Sequence, residues 1–472
     1  MYSKKRYILA LDCGGANFRM AVFDAALRRL SERSETLRYT VRVPERVEFD
    51  PEVAWRMTVR LIREACAQAG LSSEAMCTIV LTGQANTFCA LNLSGQPLIP
   101  FLSWQDRRAV KEAALLNRRL GARFHDHCSW PRAVAGHQAA MMLWLKLHRP
   151  QIIEQAAAFV TLPGFIALKL GAPNIVDANL AAMNGLFSLK TGRWWETMMG
   201  ICGVAKIQLP ALVPLGRSLA KAAPCRNLIL ANRANVVLAG NDQSACAFGN
   251  FCSRQTMLVT LGPTLMVYRV MGRRHGPYTA GGCWGIYPGG GYYELVTLNQ
   301  VGSALDWARS RMTPGRDIQS FTELARRALA RRKGMNLYDS AVLFYPDSMN
   351  TEKAWVGSPD PGERALAVFE GIGFSLKQLL EKQLRVSLPM PEIRVTGGGS
   401  NNLFWLQLLA DILNIRVGRG MGDALYGAAR MACPRSAALS APRENAKVLW
   451  FEPHDAKSYK ALYARWLQQR SG

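Results

Sequence analysis

The strongest constraint on this chain is a pattern that occurs twice: an apolar strand, a glycine turn, then a second apolar strand. It appears first in YILALDCGGANFRMAVFD. There Tyr7 to Leu11 read as a strand, Cys13-Gly14-Gly15 as a turn, and Phe18, Met20 and Val22 as alternating positions of a return strand. It returns in MLVTLGPTLMVYRV, residues 257–270, with the turn at Gly262-Pro263. Two such hairpins predict two structurally related halves that open alike, with the break close to Asp242. Around them, helical and strand patterns alternate. PEVAWRMTVRLIREACAQAG has apolar residues at helical spacing and stops at Gly70; MCTIVLTGQ is a short buried strand. ERALAVFEGIGFSLKQLLEKQL reads as a long amphipathic helix, EIRVTGGGSNNLFWLQLLADILNI as strand, glycine run and helix, and SYKALYARWLQQ as a final surface helix. The class is α/β. A length of 472 residues allows two domains, and 49% apolar residues suffice for a large core.

The formal net charge of +24 raises nucleic acid, anionic membrane or anionic substrate as partners. The cations are scattered, with only short clusters such as Arg326-Arg327 and Arg331-Arg332-Lys333, whereas basic recognition arms form dense blocks. Neither nucleic acid nor membrane is therefore expected as a partner. Eleven cysteines without regular spacing or a CxxC pair argue against a disulfide framework and for a reducing compartment. Cys128 in FHDHC crowds three candidate ligands together with no second cluster to complete a metal centre. The apolar run before Asp12 is shorter than the roughly 7–15 residues of a signal-peptide core. No apolar stretch reaches the roughly 18 residues of a membrane span, so the expected compartment is the cytoplasm.

The chemistry-bearing positions are glycine turns and carboxylates at strand ends. There is no GxxxxGK[ST] and no GxGxxG after a first strand, which removes the P-loop and dinucleotide folds. Three glycine sites remain: Gly14-Gly15, Gly262, and Gly397 to Gly399. The last joins a strand to a helix whose first residues, Ser400, Asn401 and Asn402, are cap formers that leave backbone donors facing a ligand. Asp12 ends a buried strand beside a glycine turn; it suits either a hydrated Mg²⁺ or an Asx turn. Asp242 ends the apolar run VVLAGN and precedes the small residues Ser244, Ala245, Ala247 and Gly249; it reads either as a helix cap or as a carboxylate held for catalysis. Asp106 in SWQDRR taken alone is a polar segment with an ion pair.

In order along the chain, Asp12-Cys-Gly-Gly, Gly83-Gln84, SWQDRR at 103–108, GNDQSACAFG at 240–249, TLGPT at 260–264 and VTGGGSNN at 395–402 resemble the FGGY family of carbohydrate kinases. The resemblance runs from about residue 7 to about residue 467. It implies two actin-like (ribonuclease H-like) ATPase domains, residues 1–250 and 251–472, with an interdomain cleft. It implies that Asp242 is the general base, that Asp12 is associated with Mg²⁺, and that ATP is the phosphoryl donor. Gly14, Gly15, Asn17 and Arg19 match the first phosphate hairpin, Gly262 and Thr264 the second, and Gly398, Gly399, Ser400 and Asn402 the adenosine motif. Gln84, Asn86, Trp104, Asp106 and Gln243 match positions that line the pocket for a small sugar or polyol. A homodimer is left open.

The pattern departs from the family at informative places. Gly15 and Ala16 stand where most relatives carry two threonines, and Pro263 replaces a residue with an amide donor. Ala85-Asn86 stands where glycerol kinases carry Arg-Glu and xylulokinases Met-His, which argues against glycerol and leaves pentulose, other ketose or polyol open. The altered phosphate loops alone support an alternative, a degenerate relative that binds nucleotide or sugar without transferring phosphate.

Overall fold

The computed structural model describes residues 6–72, 75–216, 218–221, 234–262, 264–272, 282–315, 317–332, 341–349, 354–384, 392–433 and 448–470. The first hairpin pairs Arg6–Cys13 with Asn17–Phe23 antiparallel, Asp12 opposite Arg19. Phe18, Met20 and Val22 are buried as the alternation predicts, but Ala21 and Phe23 are buried too. The strand is covered on both faces, as the central strands of layered α/β sheets are.

The six-stranded sheet has the order Ser218–Lys221, Asn235–Asn241, Met76–Gly83, Arg6–Cys13, Asn17–Phe23, Arg29–Thr36. Asn235–Asn241, Met76–Gly83 and Arg6–Cys13 run parallel, and the hairpin strands alternate. The seven-stranded sheet repeats this order. Trp450–Phe451, Val417–Arg419, Glu392–Thr396, Thr256–Leu261, Leu265–Met271 and Tyr292–Leu298 take the corresponding places, and Cys283–Ile286 is added at the edge. Its central strands are parallel as well. Two hairpins read from sequence thus seed two sheets of one topology. A five-stranded antiparallel sheet, with Phe88–Leu91 and Ala158–Thr161 at one edge, extends the first half.

The helix Pro51–Gln68 starts at Asp50, whose side chain accepts from the Glu52 amide, and ends before Gly70 at φ +64°. Pro361–Gln378 spans the core of the second half and runs on into a single π-type turn, Leu379–Gln383. The last helix, Ala456–Arg470, corrects the surface expectation. Tyr459, Leu462 and Trp466 sink into the second core, so its register is decided by what it packs on. The basic cluster near residue 331 is also no solvated stripe: Arg332 is buried between Glu363 and Glu370. The His127 ring of FHDHC stacks on Trp195 at 4.4 Å and meets Ser188 Oγ at 2.9 Å, an aromatic contact rather than a ligand set. Among the described residues, no helix is long and apolar enough to cross a membrane.

The two halves are joined by a glycine-lined helix crossing. Asp242–Gly249 packs against Ala424–Ala432 so closely that a Cβ on Gly427 would lie 1.7 Å from the Ala245 carbonyl oxygen. A Cβ on Gly249 would lie 2.7 Å from the Asp423 carbonyl oxygen. Of the small residues after Asp242, Gly249 is therefore required by backbone contact. The outer face of Ala424–Ala432 packs Leu425, Ala428 and Ala429 against Ile8, Ala10 and Val237 of the first sheet. A helix from late in the chain thus completes the core of the first lobe.

Candidate active site

The sheet register brings the two key carboxylates level. Cys13 pairs with Gly83, and Gly83 pairs with Asn241. Asp12 and Asp242 therefore emerge from the same ends of strands two positions apart, roughly 10 Å backbone to backbone at about 4.8 Å per strand. The geometry removes one of the two readings of each, the helix cap for Asp242 and the Asx turn for Asp12. Asn241, not Asp242, caps the helix, its side chain accepting from the Ser244 amide at 2.8 Å. Asp242 is the first helical residue, and its Oδ1 accepts the Gln243 amide at 2.8 Å. Protein on most sides and the nearby charge of Asp12 push its carboxyl up to about 7; the Gln243 amide and Arg19 oppose them. Gln243 is half-buried beside it.

Asp12 makes no Asx turn. It lies within the strand, buried, with Oδ2 on an Arg19 guanidinium nitrogen at 2.9 Å. Burial raises its pKa, and Arg19 counters part of that. Its Oδ1 is buried and has no hydrogen-bond partner among the described residues. An orphaned, strand-fixed carboxylate oxygen fits a hydrated divalent cation, an oxygen-seeking ion held through one or two carboxylates. Arg19 also reaches Asp423 at 3.4 Å, and Asp423 binds Arg29 at 2.7 Å while capping Ala424–Ala432 through the Tyr426 amide. Asp423 escaped the sequence reading, although Asp before an Ala/Leu/Gly run is a readable cap signal.

The first hairpin tip lies against the expected sugar-pocket residues. A Cβ on Gly15 would stand 3.4 Å from Trp104 Nε1 and 3.4 Å from Gln105 Nε2. On Gly14 it would meet the Asn17 carbonyl oxygen at 2.7 Å, so this turn demands glycine. Asn17 turns its side chain outward to Thr36. Gln84 links tip and pocket: its Nε2 donates to the Gly14 carbonyl at 3.3 Å and its Oε1 accepts from Thr87 Oγ1 at 2.9 Å. Asn86 holds φ +66°, and its Oδ1 accepts the Gln138 amide at 3.3 Å. Trp104 is 48% exposed, an unusual state for an indole.

Asp106 requires a correction. It is fully buried, and both oxygens are taken by the Val47 amide, the Arg108 amide and the Arg108 guanidinium, all within 3.0 Å. Arg108 also pairs with Glu48. Asp106 offers a ligand no oxygen; it fixes the loop that carries Trp104.

The second glycine turn and the glycine run meet around a cavity of 980 Å³, lined by Gly262, Asp306, Thr322, Arg326, Gly399 and Phe404 among others. Gly398 and Asn402 line it too. Gly397, at φ +85°, lies so close to the Leu261 carbonyl that a Cβ would stand 2.6 Å from the oxygen, which brings hairpin and glycine run into contact. Ser400 is used internally, its Oγ donating to the Gly397 carbonyl at 2.7 Å. Asn402 caps Leu403–Leu413 and donates its Nδ2 to Thr322 Oγ1 at 2.8 Å. Thr264 is half-buried just past the turn; Pro263 lies outside the described residues. Asp306, Glu323, Arg326 and Phe404 were missed. Helices Asn299–Met312 and Ile318–Arg331 reach the cavity only through tertiary packing.

Two sheets of one order, each opening with a glycine hairpin, joined by a tight helix pair beneath level carboxylates, define the two-domain actin-like ATPase fold. Residues 7–249 match the N-terminal domain and residues 273–434 the C-terminal domain of the FGGY family of carbohydrate kinases. The chain belongs to that family and is a carbohydrate kinase. It is 27% identical to a glycerol kinase of Trichlorobacter lovleyi over 88% of this chain and 86% of that one. It is 23% identical to the xylulose kinase of Escherichia coli over 90% and 89%. Its fold superposes with a TM-score of 0.84 on a ligand-bound xylulose kinase from Lactobacillus acidophilus, at 18% identity, covering 99% of this chain and 98% of the other. With Plasmodium falciparum glycerol kinase bound to ADP the TM-score is 0.85, at 17% identity, covering 99% and 98%.

Proposed function

We propose that the protein transfers the γ-phosphoryl group of ATP to a hydroxyl of a sugar or polyol, with Asp242 as the general base. The observation that carries this is the state of Asp242: first residue of its helix, spared from capping, with a pKa pushed up to about 7. A general base works best when its pKa lies near the operating pH, and such help is typically worth about 10²–10⁴-fold. The domains divide near residue 250. The 980 Å³ cavity takes the adenosine side, and Gly262 and Gly14-Gly15 lead the phosphates from it toward Asp242.

Asp12 would hold Mg²⁺ through its unpartnered Oδ1. That ion, when bound, supplies charge neutralisation for the phosphates. Arg19, held between Asp12 and Asp423, places a fixed positive charge at the hairpin where phosphate oxygens would pass. Backbone amides there take over from the absent threonine hydroxyls. Trp104, Gln84, Asn86 and Gln243 border the acceptor, and Asp106 acts through the loop it anchors. Coupled ADP release over a panel of ketoses, polyols and sugar acids tests the reading. Turnover with a panel member, lost in Asp242→Ala, is expected; ATP binding with no acceptor-dependent ADP release from any of them would refute it.

A further inference from the structure

A guanidinium beside a carboxylate readily closes a two-point fork, with two N–H groups on two oxygens. The Arg19–Asp12 pair stays open. Arg19 stands directly opposite Asp12 on the return strand of the first hairpin, and its Nη2 donates to Asp12 Oδ2 at 2.9 Å. Asp12 Oδ1 is buried and has no hydrogen-bond partner among the described residues. The second nitrogen of the fork, Arg19 Nη1, lies 3.4 Å from Asp423 Oδ2 instead. A closed fork on Asp12 would satisfy the orphaned oxygen, and a buried acceptor left unpaired is costly. A second attraction therefore holds the fork open.

Asp423 supplies that attraction from a fixed place. Its Oδ1 is occupied: it accepts the Tyr426 amide at 2.9 Å, capping Ala424–Ala432, and meets Arg29 at 2.7 Å. Its Oδ2 is left to Arg19. The backbone on either side is pinned. Asn250 grips Gly422 twice, its Oδ1 accepting the Gly422 amide at 3.1 Å and its Nδ2 donating to the Gly422 carbonyl at 2.8 Å. The Asp423 carbonyl lies against Gly249, at the far end of the helix that Asp242 begins. Asp423 cannot follow Arg19 toward Asp12 without moving that helix. The side chains of Arg19 and Asp423 are 32% and 27% exposed, so water screens their attraction only in part.

We propose that Asp423 is a positioning residue for the divalent cation: by holding Nη1 of Arg19 it keeps the guanidinium off Asp12 Oδ1 and leaves that oxygen to the ion. This deepens the kinase reading and rests on Asp12 as the oxygen donor to Mg²⁺. A guanidinium and a metal ion compete for the same carboxylate lone pairs. Mg²⁺ takes its oxygens at about 2.0–2.1 Å in near-octahedral geometry and gives up its ligands' geometry reluctantly, so a closed fork on Asp12 would stand in its way. Two positive groups crowded on one carboxylate also repel each other. With Asp423 present, Arg19 is confined to Oδ2, and a second negative charge offsets the extra positive one. Both cationic groups then fit beside the first hairpin.

The test measures metal binding directly. Mn²⁺ is titrated into the full chain held in excess over ADP, and free Mn²⁺ is counted by electron paramagnetic resonance. Asp423→Asn keeps an oxygen for the Tyr426 amide, so the helix cap survives while the charge that holds Arg19 is lost. It should weaken Mn²⁺ binding by about 10-fold, as outer partners of a metal ligand commonly do. Asp423→Ser, also a cap former, asks the same question should the asparagine variant fail to fold. Arg19→Met removes the group being held. Adding Asp423→Asn to Arg19→Met should then weaken Mn²⁺ binding by about 2-fold or less at physiological salt, where screening removes most of the bare charge effect. Equal losses in both backgrounds would show Asp423 acting through its charge or its cap and would overturn the proposal. So would a single Asp423→Asn variant that binds Mn²⁺ as wild type does. Either result leaves the kinase reading standing. Asp12→Asn should abolish Mn²⁺ binding; if it binds as wild type does, Asp12 is no metal ligand, and that part of the kinase reading falls together with this proposal.

Discussion

Replacing Asp242 with asparagine separates the cost of this carboxylate from its use. The folded protein holds its pKa at about 7 against an ordinary 3.8. Because the folded value is raised, the folded state binds the proton more tightly than the unfolded state. Stability is then complete below pH about 4, is lost as pH rises, and the loss saturates above about 7. At about 1.4 kcal/mol per pH unit, three units amount to roughly 4 kcal/mol. Asp242 retains some solvent contact and Arg19 is close by, so about half, ~2 kcal/mol, is the better figure. Asparagine keeps an oxygen for the Gln243 amide and removes the charge. Thermal melting of Asp242→Asn should exceed wild type by about 4–8 °C at pH 8. The gap should shrink at pH 5, where the folded wild type is already protonated. The same variant should lose about 10²–10⁴-fold in kcat, and wild-type kcat/KM should climb with pH up to about 7. A variant no more stable than wild type at pH 8, or a gap independent of pH, would mean that Asp242 is an ordinary ionised surface carboxylate, and the argument for it as base would fail.

Other consequences are more local. Gly427→Ala drives a methyl group into the Ala245 carbonyl and should cost more than about 3 kcal/mol, read as a shifted urea midpoint or loss of soluble protein. Asp106→Asn leaves Arg108 facing Glu48 alone in a buried site, and should cost about 3 kcal/mol in urea unfolding while shifting the acceptor KM more than the ATP KM. Phe404→Ala strips an aromatic face from the 980 Å³ cavity and should raise the ATP KM by about 3–10-fold with the acceptor KM unchanged.

Much of the architecture was legible because it is written in short-range pattern. Hairpin strands alternate, helices carry caps at Asp50 and Asn402, and glycines fall where backbone meets backbone, as at Gly14 and Gly397. These are demands that a residue meets with its near neighbours, so residue order alone determines them. The strand-end carboxylates Asp12 and Asp242 were visible for the same reason. What each side chain does depends on partners distant in the chain, and only the tertiary structure decided that. It assigned the helix cap to Asn241 and left Asp242 its carboxylate, buried Asp106 under Arg108, and set Asp423 against Arg19 from 404 residues away. It closed the cavity with Arg326 and Phe404. Local periodicity carries no record of such meetings, because burial and charge pairing arise only when the sheets stack and the glycine-lined helices cross.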